Sequence, residues 1–150
     1  MAATVHASAV LAGARAVLIR GPSGAGKSRL AFDLIEAARI GRLRFARLIG
    51  DDRMHLAASG GRLLVRPAPA LAGLLELRGV GILKLEHEDC GVVGLVVDLH
   101  ATDAERLPDR PLQTAEIDGV VLPRLAVAAD ENALPRVLAL LTYPAPSAQT

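Results

Sequence analysis

Glycines at positions 21, 24 and 26, followed at once by Lys27 and Ser28, form the run GPSGAGKS, whose residue types and spacing suit a phosphate cradle. Gly21, Gly24 and Gly26 let the backbone curl, and with Pro22, Ser23 and Ala25 they form a loop whose N–H groups point inward at phosphate oxygens. The start of a following helix adds a partial positive charge of roughly half a unit. Lys27 is placed to reach the β- and γ-phosphates, and the Ser28 hydroxyl can sit on Mg²⁺. Both flanks suit the motif, with an apolar strand before it and an amphipathic helix after it. The chemistry expected is therefore that of a nucleotide's phosphates with Mg²⁺.

Such a site also needs a carboxylate for the metal, and two stretches offer one. The apolar run 92–97 ends in Asp98, well downstream. Closer to the loop, 48–50 leads into Asp51 and Asp52, directly after the predicted helix. Two adjacent carboxylates at a strand's C-terminal end can divide the work, one holding metal and one accepting a proton. A lone Asp pair more often makes a turn or cap, but its position beside the glycine-loop strand favours the chemical reading. Glu76 and Arg78 stand two apart, on one face if extended, and bring a carboxylate and a cation together before Gly79 and Gly81.

These residues need elements to hold them. Alternation and β-branching predict strands over 4–10 and 16–20, with a turn at Ala12 and Gly13. Leu30, Ala31, Leu34, Ile35 and Ala38 recur at helical spacing, and Gly41 is a natural stop. A short strand over 47–49 ends at the Asp pair. Segments 53–57 and 62–66 flank Ser59, Gly60 and Gly61 as a hairpin, and 70–75 reads as a short helix. Strands follow over 92–99 and 120–127. Asn132 caps a last helix through Leu141, with Pro135 tolerated in its first turn. The stretch 101–111, with two prolines and five charges, reads as a mobile surface loop, and 144–150 as a disordered tail. With no repeat or linker, the expectation is one domain over 1–143.

The 150 residues are 51% hydrophobic, with a formal charge of +1 from 17 basic and 16 acidic side chains. That balance carries no footprint for nucleic acid or an anionic membrane. A lone Cys90 excludes an internal disulfide framework. No apolar run approaches the ~20 residues of a membrane span, and the start lacks the pattern of a signal peptide. Cytoplasm is the expected compartment. His55, His87 and His100 carry no site signal and read as surface or packing residues.

With the glycine loop and the Asp pair in view, the chain resembles the catalytic domain of the HPr kinase/phosphorylase family. The likeness covers nearly the whole chain and rests on five features in order. They are His6, fifteen residues before Gly21; the loop from Gly21 to Ser28; Asp51 and Asp52; the stretch ELRGVGIL from Glu76 to Leu83; and Asp109 with Arg110. The resemblance implies an α/β P-loop fold with a mixed β-sheet, of the phosphoenolpyruvate carboxykinase-like branch. It implies an ATP- and Mg²⁺-dependent protein serine kinase whose substrate is an HPr-type phosphocarrier of a bacterial phosphotransferase system. In that comparison Asp52 is the base with Asp51 supporting it, His6 assists the aspartate, Glu76 joins Ser28 at Mg²⁺, and Arg110 serves the transferring phosphoryl or the incoming serine. Assembly into a homo-oligomer is implied as well, a hexamer being one such form.

Three departures qualify the likeness. The chain is expected to be a short form without the N-terminal domain of longer members. Its link from helix to Asp pair, ARIGRLRFARLI, is long. Where the family carries a cationic, glycine-containing element for the reverse, phosphate-driven reaction, this chain has Ala128-Ala129-Asp130-Glu131-Asn132, so kinase activity with weak or absent phosphorylase activity is expected. Two rival readings are a P-loop small-molecule kinase and a nucleotide-binding regulatory module. The first needs an arginine-rich lid that 101–111 does not offer, and the second need not keep a base.

Overall fold

A computed structural model describes residues 3–105 and 113–143; Arg110 and the 144–150 tail lie outside them. The chain opens with an antiparallel pair, β1 (Val5–Ala12) and β2 (Arg15–Arg20). The glycine loop then leads into α1 (Lys27–Arg39). β3 (Ala46–Gly50) returns antiparallel along β1, so it runs in the direction of β2. A hairpin of β4 (Arg53–Ser59) and β5 (Arg62–Pro67) turns at Gly60 and Gly61, followed by a second, separate hairpin of β6 (Leu74–Leu77) and β7 (Gly81–Lys84). β8 (Gly91–Leu99) lies parallel to β2. The last strands, β9 (Gln113–Ile117) and β10 (Val120–Val127), are an antiparallel pair, β10 parallel to β8, before α2 (Ala133–Thr142).

The large sheet is mixed, as expected, but its pairings also close into a ring: β1 with β4, β4 with β5, β5 with β8, β8 with β2, and β2 with β1. Alternation along each strand sorts side chains to two cores. One, inside the curl, holds Leu18, Ile49, Met54, Leu63, Val65 and Val96. The other holds Val10, Ile19, Leu48 and Val97 against Leu30, Ala31 and Leu34 of α1 and Val137 and Leu138 of α2. Because β2, β3, β8 and β10 all run one way, their C-terminal ends meet the start of β1 at a single edge. That edge carries the glycine loop and the Asp pair.

The chain departs from expectation at the second hairpin. In place of a helix over 70–75 there is one 3₁₀ turn, Pro69–Leu71, and then β6. Gly73 takes a left-handed φ of 78° and its carbonyl accepts from Leu85 N–H at 2.7 Å, which ends any helix and pairs the segment instead. Leu75 is buried against α1, so β6 belongs to the helix-side core. The hairpin of β4 and β5, the helix after the glycine loop and the Asn132 cap all form where the pattern placed them; Asn132 Oδ1 accepts from Leu134 N–H at 3.2 Å.

Asp98 is committed elsewhere. Val97 and Leu99 point into the α1 core, so Asp98 between them points to the opposite face. There it accepts two hydrogen bonds from Arg20, at 2.7 and 2.8 Å, and one from Arg124 Nε at 2.5 Å. Arg124 also holds Asp103 and Gln113, tying the end of β8 to the start of β9. Burial pushes the Asp98 pKa up, but the hydrogen bonds and charges of Arg20 and Arg124 outweigh it and hold the carboxyl below its usual range. A depressed carboxylate stabilises the fold above its unfolded pKa and loses that contribution as pH falls through the folded value. Asp98→Asn is therefore expected to cost about 1.5–3 kcal/mol at neutral pH. The gap to the unsubstituted protein should begin to narrow below about pH 4 and close as pH falls through the depressed folded value. Urea unfolding of both proteins at pH 7 and pH 3 checks this; an unchanged gap would show that charge is not what the substitution removes.

Candidate functional site

The glycine loop sits where its backbone angles require glycine. Gly24 and Gly26 have φ of 83° and 97°, which side-chain-bearing residues rarely adopt. At Gly21 a Cβ would come within 3.1–3.2 Å of Leu99 and Ala25. Gly26 is also the N-cap of α1, with no side-chain cap and no acidic residue in the first turn. The first-turn N–H groups are thus left to whatever the loop faces. Lys27 is 7% exposed and donates from Nζ to the carbonyls of Gly21 at 2.8 Å and Pro22 at 3.1 Å.

Next to Lys27, the Ser28 hydroxyl donates to Asp51, reaching Oδ1 at 2.8 Å and Oδ2 at 2.9 Å. Asp51 is 5% exposed, and two further donors meet it: Ser8 Oγ at 2.5 Å from Oδ1 and Glu76 N–H at 3.2 Å from Oδ2. Asp52, one residue on, turns the other way. Its φ of 74° is left-handed, a conformation that Asp and Asn tolerate better than most residues. It places the carboxylate in the open, with Oδ1 2.5 Å from His6 Nε2. The adjacent carboxylates therefore stand in different surroundings: Asp51 is buried against the glycine loop, and Asp52 is exposed beside His6.

These groups line one cleft of about 580 Å³, shared by His6, Ser8, Lys27, Ser28, Asp51 and Asp52 with Glu76 and Arg78 of the β6–β7 hairpin. Ser23, Gly24 and Gly26 of the loop reach it too, while Ala25 lines a smaller hollow of about 150 Å³ on the side of α2. Glu76 lies at the end of β6 and Arg78 in the following turn, so the pair is not on one extended face, yet both reach the cleft. Ser8 was not singled out from the sequence. The signal was present: it is two residues after His6, hence on the same face of β1, and its strand neighbours Ala7, Ala9 and Val10 are apolar.

The residues fit Mg²⁺. Both Asp51 oxygens are gathered around the Ser28 hydroxyl, and Glu76 stands nearby. Among the described residues no three His, Cys, Asp or Glu side chains form a metal-holding cluster. A carboxylate pair beside a hydroxyl suits an ion that completes its shell with phosphate oxygens and water.

Comparison with known proteins identifies the family of the chain. The model of the HPr Serine kinase C-terminal domain matches residues 1–128. The chain belongs to that family. HPr kinase/phosphorylases resemble it at moderate identity: that of Streptococcus thermophilus is 34% identical over 122 residues, covering 74% of this chain and 37% of the relative. That of Limosilactobacillus reuteri is 35% identical over 123 residues, covering 74% and 36%, and that of Exiguobacterium sp. 36% over 105, covering 63% and 30%. This HPr kinase C-terminal domain thus spans about a third of the length of these relatives. The fold matches the HPr(Ser) kinase/phosphatase of Coxiella burnetii with a TM-score of 0.74 at 22% identity, covering 92% of this chain and 93% of that one. The family match stops at residue 128, where the acidic stretch begins. Among the described residues no helix is long and apolar enough to cross a membrane.

Proposed function

We propose that this HPr kinase-family domain is an ATP- and Mg²⁺-dependent protein serine kinase acting on an HPr-type phosphocarrier, with weak or absent phosphorylase activity. The observation that carries the proposal is the contrast between two adjacent carboxylates lining one cleft, Asp51 buried against Ser28 and Asp52 exposed beside His6. The glycine loop is a P-loop of the phosphoenolpyruvate carboxykinase-like branch: its N–H groups and the open start of α1 bind the phosphates, and Lys27 meets the β- and γ-oxygens. Ser28, Asp51 and Glu76 are the residues that would hold Mg²⁺, and the ion would supply neutralisation of charge on those oxygens. The carrier serine enters from the Asp52 side. Its oxygen forms the new bond to the γ-phosphorus, the bond to the β–γ bridging oxygen breaks, and ADP leaves with that electron pair. Asp52, oriented by His6, takes the serine proton. Arg110 is assigned to the phosphoryl group or the incoming serine loop, and the working form is a homo-oligomer.

The test is to incubate the protein with labelled ATP and Mg²⁺, offering an HPr-type carrier, the same carrier with its serine replaced by alanine, or a set of small-molecule acceptors. Label on the first alone supports the proposal. Label on small molecules, or nucleotide binding without transfer, would replace it with one of the rival readings.

The weak reverse reaction rests on the loop before α2. Glu131 is folded back, accepting from Ala128 N–H at 2.8 Å and from Arg136 Nη2 at 3.2 Å. Its charge is therefore partly compensated, and repulsion of phosphate falls mainly to exposed Asp130. Arg136 is likewise engaged, donating to the Asn132 carbonyl at 2.7 Å as well. One unpaired carboxylate about 4 Å from an anion costs about 1 kcal/mol in water, so phosphate occupancy should drop several-fold. Serine-phosphorylated carrier given millimolar phosphate and no ATP should release pyrophosphate much more slowly than the forward reaction runs. Equal rates would show that this loop does not bear on the phosphate.

A further inference from the structure

Three polar or charged residues are buried among those described: Ser8, Lys27 and Asp51. The proposed mechanism uses Lys27 and Asp51 and gives Ser8 nothing to do. A hydroxyl in an apolar strand is costly to bury without a partner, and the flanking Ala7, Ala9 and Val10 show that packing here is satisfied by hydrocarbon. We infer that Ser8 is a positioning residue that locks the Asp51 carboxylate in the orientation needed to hold Mg²⁺ with Ser28; the inference rests on the kinase reading above.

The geometry behind it is a carboxylate fixed from two directions. The last torsion of an aspartate is broad and only weakly restrained by its own chain. Ser8, on β1, donates to Oδ1 at 2.5 Å, and the Glu76 N–H, on β6, donates to Oδ2 at 3.2 Å. Neither donor belongs to the glycine loop, so the carboxylate plane is set by the scaffold. Both oxygens stay within 2.9 Å of Ser28 Oγ. Without Ser8, Oδ1 loses a charge-assisted bond in a buried site and the carboxylate can swing away from Ser28.

The experiment measures binding of a fluorescent ADP with Mg²⁺ and again with excess EDTA, for the unsubstituted protein, Ser8→Ala and Ser8→Cys, with melting curves for each. Expected is a loss of about tenfold or more in Mg²⁺-supported affinity for Ser8→Ala, little change in EDTA, and an intermediate loss for Ser8→Cys, whose slightly larger thiol is a weaker donor. Should Ser8→Ala fail to fold, Ser8→Cys decides alone. Unchanged affinity with Mg²⁺, or an equal loss with and without it, would overturn the role assigned to Ser8 while leaving the kinase reading intact. If the unsubstituted protein binds nucleotide no better with Mg²⁺ than without, the kinase reading fails and the role of Ser8 with it.

Discussion

Lys27→Ala is expected to cut phosphoryl transfer by about 10³-fold. The charge that builds on the β–γ bridging oxygen as its bond breaks needs a fixed cation, and Lys27 is the cation that the glycine loop places there. Its side chain is buried, so water cannot screen it well, and an interaction in such a site is worth several times its value in solvent. Lys27 also ties the loop to itself through the carbonyls of Gly21 and Pro22, so alanine can relax the loop as well as remove the charge. Lys27→Met separates the two effects, because it keeps most of the buried stem. Both variants should melt near the unsubstituted protein and both should lose transfer in single-turnover assays at saturating ATP. Transfer within tenfold of normal in a folded variant would remove the phosphate role from the glycine loop.

Local pattern carried much of the fold, because the relevant forces act over a few residues. The loop, the helix with Leu30, Ala31 and Leu34 on its buried face, and the Gly60–Gly61 hairpin each follow from short-range sterics and period. Closure of the sheet does not, since it depends on Leu64 meeting Val92 and His6 meeting Arg53, pairings that no window of sequence records. The segment 70–75 misled for a different reason: a short apolar run fits either period, and left-handed Gly73 with its carbonyl bonded to Leu85 decided for strand. β9 escaped because its alternation is half polar, with Thr114 and Glu116 exposed along the sheet's edge. At the site, the residue types marked Lys27, Ser28 and the Asp pair, whereas Ser8 shows in the sequence only as a polar residue in an apolar strand and gains its partner Asp51 once β1 lies beside β3. The sequence favoured the Asp pair over Asp98 by its position after the helix, and the structure puts Asp98 on the far face with Arg20 and Arg124.

Asp52→Asn is expected to leave nucleotide binding near normal and to lower transfer by about 10²–10⁴-fold, the usual contribution of a positioned base. The substitution is well matched to its place. Asn tolerates the left-handed backbone of residue 52 as readily as Asp, the volume is unchanged, and the side chain is exposed, so the fold should not register it. What disappears is the capacity to accept the serine proton. His6 then stands beside a neutral amide and has no carboxylate to orient. Asp51→Asn should behave differently. An amide nitrogen on either side of the Asp51 head group would face the hydroxyl of Ser8 or Ser28, or the Glu76 N–H, in a buried site that calls for an acceptor. The loss should therefore appear first as weakened Mg²⁺-dependent nucleotide binding. Measuring binding with a fluorescent ATP analogue and transfer with labelled ATP, for both variants side by side, reads the two roles apart. A selective loss of transfer in Asp51→Asn, with Asp52→Asn impaired in Mg²⁺-dependent binding, would reverse the assignment. Normal transfer in both would move the base off this pair of residues.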